Sequence, residues 1–160
     1  YLHRDLHVAT AASSRLFSLV GLGSLIGALS AGVIARVLGT PWSLVGNYAL
    51  GAVAILVVLL TDNILLITLS AFVMGFFLFC CVTLASIRTG ELTGPDRHPR
   101  DWGILTLAFG TGLAVGSYGL SGFISLGAQY YTLFVLAQGV AVVSLALSLW
   151  LVFRRPQAAA

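Results

Sequence analysis

The sequence predicts an all-α polytopic membrane protein, on the basis of its composition, its long apolar segments and the placement of its arginines. Of its 160 residues, 59% are hydrophobic and only 8% are charged, whereas a soluble domain is typically about 25% charged. So few charged side chains cannot cover the surface of a soluble fold of this size. We therefore expect the lipid bilayer as a partner and a single transmembrane domain over residues 1–160.

Five apolar segments approach or exceed the length of about 20 residues that a helix needs to cross a bilayer. With charged and turn-forming residues as boundaries, the predicted spans are 14–38, 43–60, 64–87, 102–125 and 132–153. Gly39 and Pro41 are typical of one helix ending and the next beginning, and Asp62 and Asn63 offer side-chain oxygens as N-caps. The short connections predict antiparallel neighbours.

The arginines predict the orientation of these spans. If the five helices alternate, six arginines share one membrane face and two share the other; the six are Arg36, Arg88, Arg97, Arg100, Arg154 and Arg155, and the two are Arg4 and Arg15. Cytoplasmic connections are enriched in basic residues. We expect the amino end outside, the carboxyl end in the cytoplasm, and a bacterial cytoplasmic (inner) membrane as the location. Because the chain begins at Tyr1, we also expect it to be a piece of a longer chain.

The polar connections argue against several functions. The net charge of +3 is spread over short connections, so no basic stripe exists that could follow nucleic acid. Segment 88–102 holds His98 and three acids, but its prolines and glycines are typical of a solvated loop without metal-ligand spacing. No nucleophile elbow or phosphate-binding loop is present. We expect no enzyme activity, no cofactor and no metal.

Small residues form stripes on two predicted helices. Gly23 and Gly27 are four residues apart in the first span, and Gly112 and Gly116 repeat that spacing in the fourth. Such stripes let helix backbones approach closely in lipid, where the hydrophobic effect contributes little to association. They suit the sliding helices of a transporter, but static packing in any polytopic protein explains them equally well.

Two segments resemble signatures of the major facilitator superfamily of secondary transporters, in its carboxyl-terminal half. "GVIARVLG" at 32–39 is similar to the signature between the second and third helices of a half, with Arg36 in place of the aspartate and Val37 in place of the arginine. "GLAVGSYGLSG" at 112–122 is similar to the glycine-rich pattern of a fifth helix, with Ser117 and Tyr118 where a proline is often found.

The resemblance implies that the spans are helices eight to twelve of a twelve-helix fold, with the amino-terminal half of the same chain as partner. It implies transport of a small solute, whose identity is unknown, by alternating access driven by an ion gradient. The implied cavity candidates are Arg15, Phe77, Cys81, Thr111, Tyr118 and Ser125. The implied packing and gating residues are Gly23, Gly27, Gly32, Arg36, Gly39, Gly112, Gly116 and Gly122.

Other interpretations remain open at this point. Arg15 lies close enough to a helix end to snorkel to the interface, and a stripe such as Phe77 and Cys81 is often ordinary packing. Asn47, Tyr48 and Gln138 are expected to form interhelical hydrogen bonds. No Asp or Glu lies within the five spans, so we expect any proton carrier upstream. A small five-span membrane subunit or assembly factor without transport activity is the alternative function.

Overall fold

The computed structural model describes the backbone of residues 10–127 and 129–154, and their side chains from position 17 onward except at position 130. These ranges form four helices, α1 (Thr10–Leu38), α2 (Thr40–Leu60), α3 (Ile64–Ser125) and α4 (Tyr130–Arg154), and contain no strand. All four helices are long and apolar enough to cross a membrane. The prediction of an all-α polytopic membrane protein is thereby supported, while the helix count is four where five spans were predicted.

The predicted turns between the first three helices are confirmed. Gly39 separates α1 from α2 with φ 78° and ψ 145°, a backbone conformation that side chains with a Cβ rarely adopt. Pro41 follows in the first turn of α2, where its missing N–H costs no hydrogen bond. Asn63 caps α3, because its Oδ1 accepts a hydrogen bond from the Leu65 N–H at 2.9 Å.

Helix α3 contains a break that divides it into two stretches. Gly94, with φ 73° and ψ 171°, is its one non-helical residue, in a region of backbone space used almost only by glycine. Pro95 follows directly and begins a new helical stretch, and Pro99 lies four residues further along it. We call residues 64–93 α3a and residues 95–125 α3b.

The segment 88–101, predicted as a solvated loop, is helical on both sides of Gly94, and that prediction is wrong in its local structure. Thr89 and Thr93 donate their hydroxyls to backbone carbonyls four residues earlier, at 2.8 and 2.9 Å. Arg88 and Glu91 form an ion pair at 2.7 Å across three residues of the same helix, a spacing that stabilises helices. The polar composition pointed to solvent exposure, and it did not exclude a helix.

The closest packing in the structure lies between α1 and α3a. A Cβ added at Gly23 would collide with the backbone carbonyl of Phe72, one at Gly27 with that of Phe76, and one at Gly75 with that of Val20. The two backbones are therefore in direct contact. Beyond this crossing, the same two helices bury their side chains in a small apolar core, which consists of Ala31, Cys80 and Leu84.

The other helices are arranged around this pair. α2 packs against α3a, where a Cβ at Gly51 would meet the ring of Phe77 at 2.8 Å, and it also packs against α4. Trp42 of α2 contacts Phe153 of α4 edge to face, with 6.0 Å between ring centroids. Residues 103–123 of α3b are all exposed, so this stretch lies apart from the other described helices.

The α1 and α3a crossing predicts a sharp difference between two neighbouring glycines. Gly23→Ala is expected to lower the free energy of unfolding by about 1–3 kcal/mol, since packed backbones must separate to admit the methyl group. Gly21→Ala is the matched control, because nothing lies within 4 Å of a Cβ at that position. Thermal unfolding of both variants in detergent measures the difference. Equal melting temperatures would show that the two helices are not in backbone contact.

Candidate functional site

Two of the predicted cavity residues, Phe77 and Cys81, lie at the contact between α3a and α2. The Phe77 ring packs over Gly51 and stands 6.0 Å from the Tyr48 ring, centroid to centroid. The Cys81 side chain lies beside those of Tyr48 and Asn47. In the described residues both side chains are thus part of the contact between α2 and α3a.

The other three cavity candidates lie together on the exposed stretch α3b. Tyr118 is 83% exposed, and Thr111 and Ser125 are exposed as well. The hydroxyls of Thr111 and Ser125 donate to backbone carbonyls of their own helix, at 2.8 and 2.7 Å. Because residues seven apart lie on nearly the same side of a helix, α3b presents one face that carries three hydroxyl groups. No described hydrogen bond or ring contact joins this face to Phe77 or Cys81.

The remaining predicted residues are placed as follows. Arg15 lies in α1, and its side chain is outside the described part of the structure. Arg36 is exposed in the last turn of α1. Gly23 and Gly27 lie at the α1 and α3a crossing, whereas a Cβ at the other glycines would meet nothing within 4 Å; these are Gly32, Gly39, Gly112, Gly116 and Gly122.

Asn47 makes the interhelical hydrogen bond expected from the sequence. Its Nδ2 donates to the carbonyl oxygen of Phe77 at 3.0 Å, which ties α2 to α3a. Gln138 on α4 differs, because its buried Oε1 has no hydrogen-bond partner among the described residues. Buried polar atoms usually have a partner.

A polar network that the sequence did not predict connects two helices, α2 and α3a, at one end of the bundle. The buried Thr40 hydroxyl donates to Oε1 of Glu91, and Arg88 donates to Oε2 of the same carboxylate at 2.7 Å. We call this end the arginine end, since Arg88 lies here, along with the last turn of α4 with Arg154. The three-residue spacing of Arg88 and Glu91 is a signal for an ion pair on a helix, but the composition of this segment predicts a loop, and in a loop such a spacing does not place two side chains together.

The arginine end also contains a crevice and a cation held over an aromatic ring. The crevice, of about 160 Å³, lies between Pro41 and Leu44 of α2, Leu92 of α3a and Leu151 of α4. The Arg154 guanidinium lies 4.5 Å from the centre of the Trp150 ring, a geometry that stabilises a cation by about 0.5–1 kcal/mol at an exposed site. Cations and tryptophans of this kind are typical of a membrane interface.

A contact between His98 and Ser86 shows that the chain turns at Gly94. Its Nε2 lies 3.1 Å from the carbonyl oxygen of Ser86 and 3.4 Å from the Ser86 hydroxyl. Since a carbonyl oxygen only accepts, Nε2 must carry the proton in this bond. A continuous helix would separate residues 86 and 98 by about 18 Å along its axis, so the contact requires the chain to bend back at Gly94.

The described residues hold no group of three His, Cys, Asp or Glu side chains that could bind a metal ion.

The family model described as an uncharacterised MFS-type transporter, YbfB, matches residues 2–149 of the chain. No curated protein and no solved structure matches the chain significantly.

The network at the arginine end predicts a measurable role for Glu91. Glu91→Ala is expected to lower the free energy of unfolding by about 1 kcal/mol or more, because the buried Thr40 hydroxyl and the Arg88 guanidinium both lose their acceptor. Asp96→Ala removes an exposed acid of the same segment and is expected to change stability little. Chemical unfolding in mixed micelles measures both. If both variants lower the free energy of unfolding equally, Glu91 does not stabilise the contact between α2 and α3a.

Proposed function

Because the chain belongs to the major facilitator superfamily, in the family of uncharacterised MFS-type transporters represented by YbfB, we propose that it forms the carboxyl-terminal half of a secondary transporter. That transporter moves a small solute across the membrane by alternating access, driven by an ion gradient. The family match over residues 2–149 carries the proposal. The partner implied is an amino-terminal half of the same protein.

The break at Gly94 supports a five-span topology for this half. A straight helix of 62 residues would be about 93 Å long, roughly three times the thickness of the hydrocarbon core. The stretches α3a and α3b are each about 45 Å long, so each is sufficient for one crossing. With the chain bent back at Gly94, α1, α2, α3a, α3b and α4 correspond to helices eight to twelve of the twelve-helix fold.

The arginine end supports an orientation with this end in the cytoplasm. The start of α2, the end of α3a and the end of α4 meet there, as the contacts of Thr40 with Glu91 and of Trp42 with Phe153 show. Alternating antiparallel spans place the same termini together on one membrane face. Since cytoplasmic connections are enriched in arginine, we propose a bacterial inner membrane with the amino end of this segment outside.

Alternating access requires some helices to move as units and others to change neighbours. Helices α1 and α3a are in backbone contact through Gly23, Gly27 and Gly75, so we propose that they move together. The exposed stretch α3b, with glycines that have open space around them, is the part that meets the other half and the solute.

The hydroxyl face of α3b supports a polar, uncharged group on the solute. Thr111, Tyr118 and Ser125 can donate and accept hydrogen bonds without imposing a charge. Arg15 at the outer end of α1 would add contact with an anionic group, if its side chain turns inward instead of snorkelling. Because the five predicted spans, 14–38, 43–60, 64–87, 102–125 and 132–153, carry no Asp or Glu, the group that couples an ion to transport is expected in the amino-terminal half.

Uptake by proteoliposomes is expected to depend on an ion gradient. The intact protein, screened against a panel of small polar solutes, should accumulate at least one of them when a proton or sodium gradient is imposed. An ionophore that collapses the gradient should reduce accumulation to the level of protein-free liposomes. If proteoliposomes with folded protein accumulate none of the solutes above this level, the result would favour the alternative of a five-span subunit without transport activity.

Tyr118 is expected to contribute to solute recognition. Tyr118→Phe should raise the KM of uptake about threefold to tenfold, as expected for the loss of one hydrogen bond to the solute. Tyr131→Phe is the matched control, because it removes the same atom from an exposed tyrosine at the start of α4. Unchanged uptake by Tyr118→Phe would remove this residue from the proposed cavity.

A further inference from the structure

The bend at Gly94 decides in which direction α3b leaves α3a. Residues 103–123 of α3b are all exposed, so no other described helix packs along them. Gly94 has no side chain, and a Cβ at this position would meet nothing within 4 Å. Glycine also adopts a wide range of backbone angles. The residue at the bend therefore does not fix the angle between the two stretches by itself.

His98 connects the two sides of the bend. Its Nε2 donates to the carbonyl oxygen of Ser86 at 3.1 Å and lies 3.4 Å from the Ser86 hydroxyl. The imidazole ring lies over Gly90, which is about one helical turn after Ser86 and therefore on the same face of α3a. Among the described side-chain hydrogen bonds, those that cross Gly94 all belong to His98. We call these interactions with Ser86 and Gly90 the His98 contact.

The His98 contact is compatible with the helix on which it acts. The Ser86 carbonyl lies inside α3a, where it pairs with the N–H four residues later, and a carbonyl oxygen can accept a second hydrogen bond. Gly90 leaves room for the ring, because a Cβ there would stand 3.3 Å from Cδ2 of His98. His98 is half-buried, so water competes less for this bond than at a fully exposed site.

The backbone is restrained on both sides of Gly94. On the α3b side, two of the first five residues are proline, and proline fixes φ at about −65°, so the start of α3b is stiff. On the α3a side, Glu91 accepts a hydrogen bond from Thr40 of α2. Gly94 is thus the flexible position between two restrained segments.

We propose that the His98 contact fixes the angle between α3a and α3b, and that Gly94 becomes a pivot when the contact is broken. Because Glu91 ties the same end of α3a to α2, an intact contact transmits a movement of α2 or α3a to the far end of α3b. The proposal concerns the angle between two helical stretches, so it does not rest on the proposed transport function.

The angle can be measured as a distance, because α3b acts as a lever. Residue 113 lies about 28 Å along α3b from Gly94, so a rotation of 10° at the bend displaces it by about 5 Å. Spin labels are attached to a ketone-bearing amino acid that replaces Phe79 on α3a and Leu113 on α3b, which are 53% and 60% exposed. This labelling leaves Cys80 and Cys81 in place. Pulsed EPR on the intact protein in lipid nanodiscs then measures the distance between the labels.

Substitutions of His98 separate the hydrogen bond from other effects. His98→Ala should shift the mean distance by about 5 Å or broaden its distribution by a similar amount, as a rotation of 10° predicts. His98→Gln should retain the original distance, because the amide nitrogen of glutamine reaches about as far as Nε2 and also donates. His98→Asn is too short to reach Ser86 and should behave like His98→Ala. Arg97→Ala, which removes an exposed neighbour, is the matched control and should change nothing.

A variant on α3a serves if His98→Ala does not fold. Gly90→Leu leaves His98 unchanged and raises the helix propensity of α3a, but its side chain occupies the place of the imidazole ring. It should therefore change the distance as His98→Ala does, although it favours the helix in which it lies.

Three results would overturn the proposal. An original distance in both His98→Ala and Gly90→Leu would mean that other contacts hold α3b in place. The same change in Arg97→Ala would mean that the bend responds to any substitution. A changed distance in folded His98→Gln would mean that the hydrogen bond to Ser86 does not fix the angle.

Discussion

The direct contact of the α1 and α3a backbones is the constraint on which the rest of the described structure depends. Within lipid, helices gain little from the hydrophobic effect, and they associate through close packing and hydrogen bonds. Gly23 and Gly27 on one helix and Gly75 on the other leave no room for a Cβ. The small core of Ala31, Cys80 and Leu84 forms only because these backbones meet. α2 packs against α3a of this pair, and the contact of Thr40 with Glu91 joins the same two helices at the arginine end.

Polar contacts then add the remaining helices at defined positions. Asn47 connects α2 to the backbone of α3a, and Thr40 connects the start of α2 to Glu91 at the arginine end. The same arrangement leaves the hydroxyl face of α3b exposed.

The sequence was sufficient to predict features that depend only on residues close together in the chain, such as helix ends. Gly39, Pro41 and Asn63 mark helix ends through their own backbone and side-chain geometry, and the structure uses all three in that way. The helix through 88–93 was missed, because polar residues and nearby prolines are equally compatible with a loop. The α1 stripe was visible, but its partner Gly75 was not, since a single glycine shows no spacing. Contacts between distant segments, such as Thr40 with Glu91, leave no trace in one sequence.

The central claim is that α1 and α3a form one rigid unit while α3b changes its neighbours. Structures of the intact protein in lipid nanodiscs, one opened to each side of the membrane, test this directly. The account predicts that Gly23, Gly27 and Gly75 remain at the backbone contact in both structures and that α3b packs against different residues of the other half. A separation of α1 from α3a between the two structures would contradict it.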